Sequence, residues 1–284
     1  MPSSASHSDY VLGTDDIELR RLAEQHALWL DRANTVWQQA GLRRGQRVLD
    51  AGCGPGFVSL EMARIVAAGQ NQRGRVVGVD GNAGFLDHAR RLADSHKMSN
   101  MDFVESDVRK LGDALERQEP FDLAYLRWVL CFVDDVDAVI AGIARRLAPG
   151  GRIVIQDYFH YDTMTIAPKD DRWHEFMLTI SRSWRDSGGD PDVMQRVPAL
   201  LHKHGFEIDH LGATGPRVVR PTDTMWTWPA IFWQSFVPRL VETGYMTEQQ
   251  AEEVHALWAD RENSPDSFFL LPVVLDCVAT RKQT

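Results

Sequence analysis

Cysteine is scarce in this 284-residue chain: Cys53, Cys131 and Cys277 are all it has. An odd number at wide spacing suits free thiols in a reducing compartment better than a disulfide framework or a CxxC metal site. Long apolar runs are missing too. No stretch approaches the 18 residues of a membrane-spanning helix, and residues 1–8 lack the basic and apolar regions of a signal peptide, so a cytoplasmic protein without membrane insertion is expected. Positive charge is in deficit, with 31 Lys+Arg against 40 Asp+Glu and a net charge of −9. Such a field repels nucleic acid, which is not expected as a partner. His174-Glu175 opens like a zinc-protease helix, but Leu178 stands where the second histidine belongs, and no metal site is expected. Tryptophan, by contrast, is abundant. Five of nine, Trp173, Trp184, Trp226, Trp228 and Trp233, fall between residues 173 and 233.

Residues 15–41 read as a helix with Leu22, His26, Trp29 and Trp37 on one stripe and Gly41 closing it. Short strands then alternate with helices: strands at 47–50, 75–80, 101–105, 121–126 and 152–157, helices at 57–68, 82–95 and 136–147. This rhythm marks an α/β fold, a doubly wound and mostly parallel sheet. Beyond residue 157 the alternation breaks. Residues 158–200 hold a loop and helices, a sixth strand starts at Phe206, residues 221–264 are helical and aromatic, and residues 268–279 form a last strand. The expected organisation is therefore an N-terminal helical segment (1–40), a core (41–157), a first cap insertion (158–200), core strand 6 (201–220), an aromatic helical cap (221–264) and a C-terminal core strand (265–284). Ligands of open α/β sheets bind beyond the carboxyl ends of the strands, so insertions after strands 5 and 6 should cover that edge.

The strongest motif is Val48-Leu49-Asp50-Ala51-Gly52-Cys53-Gly54-Pro55-Gly56, at a strand-to-helix turn. Alternate glycines let the backbone turn tightly and approach a ligand, and the next helix offers free N–H groups. A dinucleotide fingerprint would need glycine where Phe57 or Ser59 stands, so both of its registers fail.

The nonapeptide resembles motif I of the class I S-adenosylmethionine-dependent methyltransferases of the small-molecule type, an acidic-x-Gly-x-Gly-x-Gly core matched by Asp50, Gly52, Gly54 and Gly56. The likeness continues in order through residues 76–80, Glu105-Ser106-Asp107-Val108, the 121–127 strand and Leu147-Ala148-Pro149-Gly150-Gly151. It implies a Rossmann-like, seven-stranded sheet and S-adenosyl-L-methionine as cofactor. In that family the acid matched by Asp80, with Gly81 beside it, accepts both ribose hydroxyls, the acid matched by Asp107 takes the adenine amino group, and the backbone at Val108 meets the ring edge. Arg127 replaces the small polar residues often found there; it is left between the cofactor carboxylate, the substrate, and Asp134 or Asp135.

Outside the shared core, the resemblance suggests that Tyr10 and the first helix fold over the cofactor, while His26 also suits a core position. Tyr158, His160 and Tyr161 follow the fifth strand, where any could orient or deprotonate a nucleophile. Trp228, Phe232 and Phe236 share a helix face, as core or as an aromatic pocket wall. The implied reaction is in-line transfer of a methyl group to O, N or C of a small apolar or aromatic acceptor. Two other readings stay open: an S-adenosylmethionine-binding sensor or assembly protein without turnover, and a nicotinamide-dependent oxidoreductase. Oligomeric state is not legible.

Overall fold

A computed structural model describes residues 16–67, 74–214 and 217–282. In chain order the helices are α1 (Asp16–Gln39), α2 (Phe57–Val66), α3 (Ala83–Ser95), α4 (Leu111–Ala114), α5 (Val136–Arg146), α6 (Asp171–Asp186), α7 (Val197–Lys203), α8 (Thr227–Glu242) and α9 (Glu248–Glu262). The strands are β1 (Arg47–Ala51), β2 (Arg75–Asp80), β3 (Met101–Glu105), β4 (Phe121–Arg127), β5 (Leu147–Phe159), β6 (Thr165–Ala167), β7 (Phe206–Thr214), β8 (Val218–Val219), β9 (Phe268–Leu270) and β10 (Val273–Arg281).

Seven strands form one sheet in the order β3-β2-β1-β4-β5-β10-β7. The first five pair in parallel, and β10 runs antiparallel between β5 and β7. Strands covered on both faces read as continuous β-branched and aliphatic runs, which is why the short segments at Val48-Leu49 and Val76-Val77 are legible. Alternation sorts the side chains. Val48, Val76, Leu123, Val154 and Val278 pack with Trp37, Leu60 and Ala93 on the α1–α3 side. Leu49, Val77, Ala124, Ile153 and Ile155 pack with Leu111, Ile140, Ile143 and Leu201 on the other. Gly78 interrupts the β2 run because a Cβ there would lie 2.8 Å from the Cys53 thiol and 2.9 Å from the Phe103 ring.

Helix α1 belongs to this core rather than hanging over it. Its Trp37 is 1% exposed and meets Tyr125 edge-on, with ring centroids 5.5 Å apart. A buried polar chain ties the same helix to the sheet. Arg32 donates to Asp276, Gln156 Nε2 donates to Asp276 Oδ1 at 2.6 Å, and the Tyr125 hydroxyl donates to Gln156 Oε1.

The insertions do rise after β5 and β7, but they are not purely helical. Strands β6, β9 and β8 form a small antiparallel sheet that stitches the two insertions together. Consequently the last strand expected from sequence is two: Phe268–Leu270 pairs in the cap sheet, and only Val273–Arg281 enters the main sheet. Pro272 stands at the break, where it has no N–H to give either ladder. Cap residues Trp173, Trp226 and Phe269 are continuous with the main core.

Replacing Trp37 by Ala should cost about 3–5 kcal/mol in denaturant unfolding. A change below about 1 kcal/mol would mean that α1 is not part of the cooperative core.

Candidate functional site

The order of the strands reverses between β1 and β4, and the crevice expected at such a switch point is present. It is a cleft of about 1660 Å³, partly open to solvent, lined among others by Asp50, Gly52, Gly54, Asp80, Asp107 and Arg127. Its floor is the loop after β1, where Gly52, Gly54 and Gly56 have φ of +73°, +52° and +86°. The N–H groups of Gly52 and Cys53 both donate to Val79 O, at 2.7 and 3.0 Å, which draws the loop across the end of β2. A Cβ on Gly52 would lie 2.4 Å from Val129 Cγ2, and one on Gly56 2.7 Å from Ala89 Cβ. Around Gly54 there is open space. The first turn of α2, capped by no side chain, begins beside it.

Asp80 ends β2 in the cleft lining and is held by the loop: Gly54 N donates to Oδ2 at 2.8 Å and Asn82 N to Oδ1 at 2.9 Å. Burial raises its pKa despite these donors. Gly81 is part of the same wall. Asp50 is 3% exposed and accepts a hydrogen bond from the Ser59 hydroxyl. Burial chiefly raises its pKa to about 7, with Ser59 and Arg127 opposing and Asp80 adding to the rise. Asp107 and Val108 reach the cleft as well, but the Asp107 carboxylate already has a partner. It caps a 3-10 turn through Arg109 N at 2.8 Å and accepts from Arg109 Nε at 2.9 and 3.0 Å. Those bonds hold its pKa below the ordinary carboxylate range.

Arg127, at the end of β4, faces the cleft beside His26, its Nη2 3.3 Å from His26 Nδ1. Among the described residues its buried Nη1 has no hydrogen-bond partner. The acidic partners considered from sequence are engaged elsewhere: Asp134 pairs with Arg109 at 2.7 Å, and Asp135 caps α5 through Ala138 N at 2.9 Å. His26 stacks on Phe57 with centroids 6.0 Å apart. Burial, then Arg127, lowers its pKa to about 4, so the imidazole is neutral near pH 7. Tyr10 lies outside the described residues.

A second, smaller chamber adjoins the cleft and shares Gln25, Trp128 and Phe132 with it. Trp128 stands at the junction with φ of +51°, the left-handed region that a bulky side chain seldom occupies. Its ring stacks on Tyr158 and Trp228, at 6.1 and 5.8 Å, and meets Trp29 edge-on at 5.1 Å. Tyr158 and Tyr161 line this chamber, and burial pushes both phenols well above their usual pKa, so they are proton donors rather than bases. His160 is exposed and lines neither cavity, which places it away from both spaces. The tryptophans divide: Trp184, Trp228 and Trp233 line the chamber, and Trp173 and Trp226 are core. Phe232 is lining and Phe236 is core.

Sequence reasoning missed Arg21, Gln25, Trp128 and Phe132. Glu18, Arg21 and Gln25 lie three and four residues apart on α1, a spacing that marks one helix face. A polar stripe of this kind ordinarily reads as solvated. Here it is buried, with Glu18 1% and Arg21 4% exposed.

Fold and cleft together define a doubly wound α/β protein with an open crevice at the sheet's switch point, between a glycine loop and a strand-end acid. Residues 42–187 match the family described as "Methyltransferase domain", a span of just over half the chain, and the protein belongs to that family. Among curated relatives, the ubiquinone/menaquinone biosynthesis C-methyltransferase UbiE of Vibrio vulnificus is 32% identical over 134 residues, 47% of this chain and 48% of that one. Trans-aconitate 2-methyltransferase of Streptomyces coelicolor is 31% identical over 174 residues, 60% of this chain and 50% of that one. The chain thus spans about half the length of these curated relatives. Among solved structures, geranyl diphosphate C-methyltransferase from Streptomyces coelicolor, in complex with Mg2+, geranyl diphosphate and S-adenosyl-L-homocysteine, superposes with a TM-score of 0.56. At 16% identity over 94% of this chain and 84% of that one, this likeness speaks for the fold. Among the described residues no group of three or more His, Cys, Asp or Glu is placed to hold a metal, and no helix is long and apolar enough to cross a membrane.

Gly56→Ala combines left-handed strain with a clash and should lower stability by more than about 1 kcal/mol. Gly54→Ala meets no atom and should cost less. Equal losses in thermal unfolding would contradict the seating of the loop against α3.

Proposed function

We propose that the protein is an S-adenosyl-L-methionine-dependent methyltransferase acting on O, N or C of a small apolar or aromatic acceptor. The observation that carries this reading is the pairing of two cavities. A cleft with open backbone at Gly54 and a strand-end acid at Asp80 adjoins an aromatic chamber across Gln25, Trp128 and Phe132.

The residues fit the cofactor. Asp80 accepts the ribose hydroxyls, its carboxylate already aligned by Gly54 and Asn82. The loop of Gly52, Gly54 and Gly56 and the first turn of α2 hold the amino-acid end, with Asp50 opposite its ammonium and the orphaned Arg127 Nη1 offered to its carboxylate. Gly81 and Val108 flank the nucleoside. Asp107 contributes an oxygen to adenine only as an acceptor shared with Arg109. When bound, the cofactor supplies a sulfonium methyl that is already activated. The chain's own work is to hold the acceptor in line behind that methyl and to exclude water; such positioning supplies about 7–11 kcal/mol. Tyr158 and Tyr161 orient the acceptor as donors, so a nucleophile that needs to lose a proton must do so without a phenolate base. The acceptor is a small molecule free in the cytoplasm rather than a nucleic acid, in keeping with the charge of −9.

Calorimetric titration should give micromolar binding of S-adenosylmethionine and S-adenosylhomocysteine and none of NAD. Absence of binding removes the reading, and binding without methyl-donor consumption leaves the sensor in its place. Asp80→Ala should weaken both ligands at least ~10-fold. Because burial raises the Asp50 carboxyl to about 7, the group is partly protonated near neutrality. A cationic ligand favours its charged form, so affinity should rise with pH up to about 7 and then level off. Asp50→Asn should abolish that slope. In folding the sign is opposite: the raised pKa means that the unprotonated carboxylate destabilises the unliganded fold, increasingly from the unfolded value of 3.8 up to about 7.

A further inference from the structure

The cleft runs across the carboxyl ends of four neighbouring strands, with Arg127 at the end of β4, Asp50 and the glycine loop at β1, Asp80 at β2 and Asp107 just past β3. In the proposed binding the ribose lies at Asp80 and the charged amino-acid end between Arg127 and Asp50. The base of the cofactor then falls at the β3 end, beside Asp107 and Val108.

At that end the Asp107 carboxylate is already occupied. A carboxylate offers about four acceptor positions, and Arg109 fills them. Its backbone N–H donates to Oδ1 at 2.8 Å, its Nε lies 3.0 Å from Oδ1 and 2.9 Å from Oδ2, and its Nη2 donates to Oδ2. The far side of the guanidinium is held as well, by Nη1 donating to Asp134 Oδ1 at 2.7 Å. Forked pairs of this kind belong to the stronger class of hydrogen bond, and two residues so near in the chain close only a short loop to make one. The same spacing recurs at Asp170 and Arg172, where the backbone N–H, Nε and Nη2 of the arginine donate to the aspartate at 3.0, 2.9 and 2.7 Å. That second pair sits at the start of α6 and lines neither cleft nor chamber. The arrangement is therefore local to the Asp-x-Arg sequence and needs no ligand site around it.

Arg109 itself lines the cleft. An exocyclic amino group arriving at Asp107 meets an oxygen already shared, with the N–H edge of a cation beside it. The other carboxylates of the described lining stand at β1 and β2, where Asp50 accepts from Ser59 and Asp80 from Gly54 and Asn82.

We infer that Arg109 is a specificity-determining residue of the cofactor site: by occupying Asp107 it withdraws this acid from recognition of the adenine amino group, so that the chain selects only weakly at that group. This deepens the proposed cofactor binding and rests on that reading for the direction in which the nucleoside lies.

The probes are S-adenosylhomocysteine and its analogue in which hydrogen replaces the exocyclic amino group and the ring nitrogens are unchanged, each titrated by calorimetry into the full chain. In the unaltered protein the two affinities should agree within about 3-fold. Arg109→Met frees the carboxylate, and an unshared bond to a charged acceptor should then favour S-adenosylhomocysteine by at least about 10-fold. Arg109→Lys keeps the charge without the fork, disturbs the fold less, and should give a ratio between the two. Adding Asp107→Ala to either variant should return the ratio to that of the unaltered protein, because the gain runs through this carboxylate. Each ratio is read within one protein, so a general loss of affinity does not imitate it. A ratio larger than about 3-fold in the unaltered protein, no rise in the arginine variants, or a rise that survives Asp107→Ala overturns the inference while leaving cofactor binding intact. Failure of both ligands to bind the unaltered protein removes the cofactor reading and this inference with it.

Discussion

Three left-handed glycines within five residues press the loop after β1 against Val129 on one side and Ala89 on the other, with no room for a side chain at either contact. The rest of the site depends on that seating. Because Gly52 and Cys53 share the Val79 carbonyl, the loop crosses the end of β2 and brings Gly54 N to the Asp80 carboxylate. Val129 in turn follows Trp128, whose backbone N–H is fixed on the Gln156 carbonyl of β5 at 2.9 Å. One steric constraint thus links the cleft, the end of β4 and the wall of the second chamber.

Electrostatics divides the two cavities. The cleft holds carboxylates: Asp50 and Asp80 are both raised by burial and aligned by donors, a setting that a cationic, hydroxyl-rich ligand would stabilise. In the chamber wall Arg21 is turned to the Glu18 carboxylate and to Gln25. The two spaces adjoin where Trp128, Gln25 and Phe132 stand. Helix α1 borders both, presenting His26 to one side and Arg21 to the other, and it is anchored through the buried Trp37 and the Arg32–Asp276 ion pair.

Much of the parallel half of the fold was legible because strands covered on both faces must be apolar throughout and because glycine spacing has few other uses. Asp50, Asp80, Gly52 and Gly54 come together in the cleft. What was not legible involves pairing over long distances. The cap sheet joins residues near 166, 218 and 269, each segment two or three residues long, too short to show a period. The split of the last strand at Pro272 follows from that pairing. His160 looked suitable by position, yet the turn places it in solvent. Asp107 was matched to the acid that takes the adenine amino group, and its carboxylate also accepts from Arg109 two residues on.

By itself the sequence determined the doubly wound order of elements, the glycine loop, the acid at the end of the second strand and the aromatic richness of the insertions, since these follow from local periodicity and from residue types with few conformational alternatives. The tertiary structure alone decided which aromatic rings face a chamber and which are core, and that a polar stripe on the first helix is buried. Burial is a property of what packs against a residue. For Gln25 the partner Trp228 lies about two hundred residues away in the chain, beyond the reach of any local pattern.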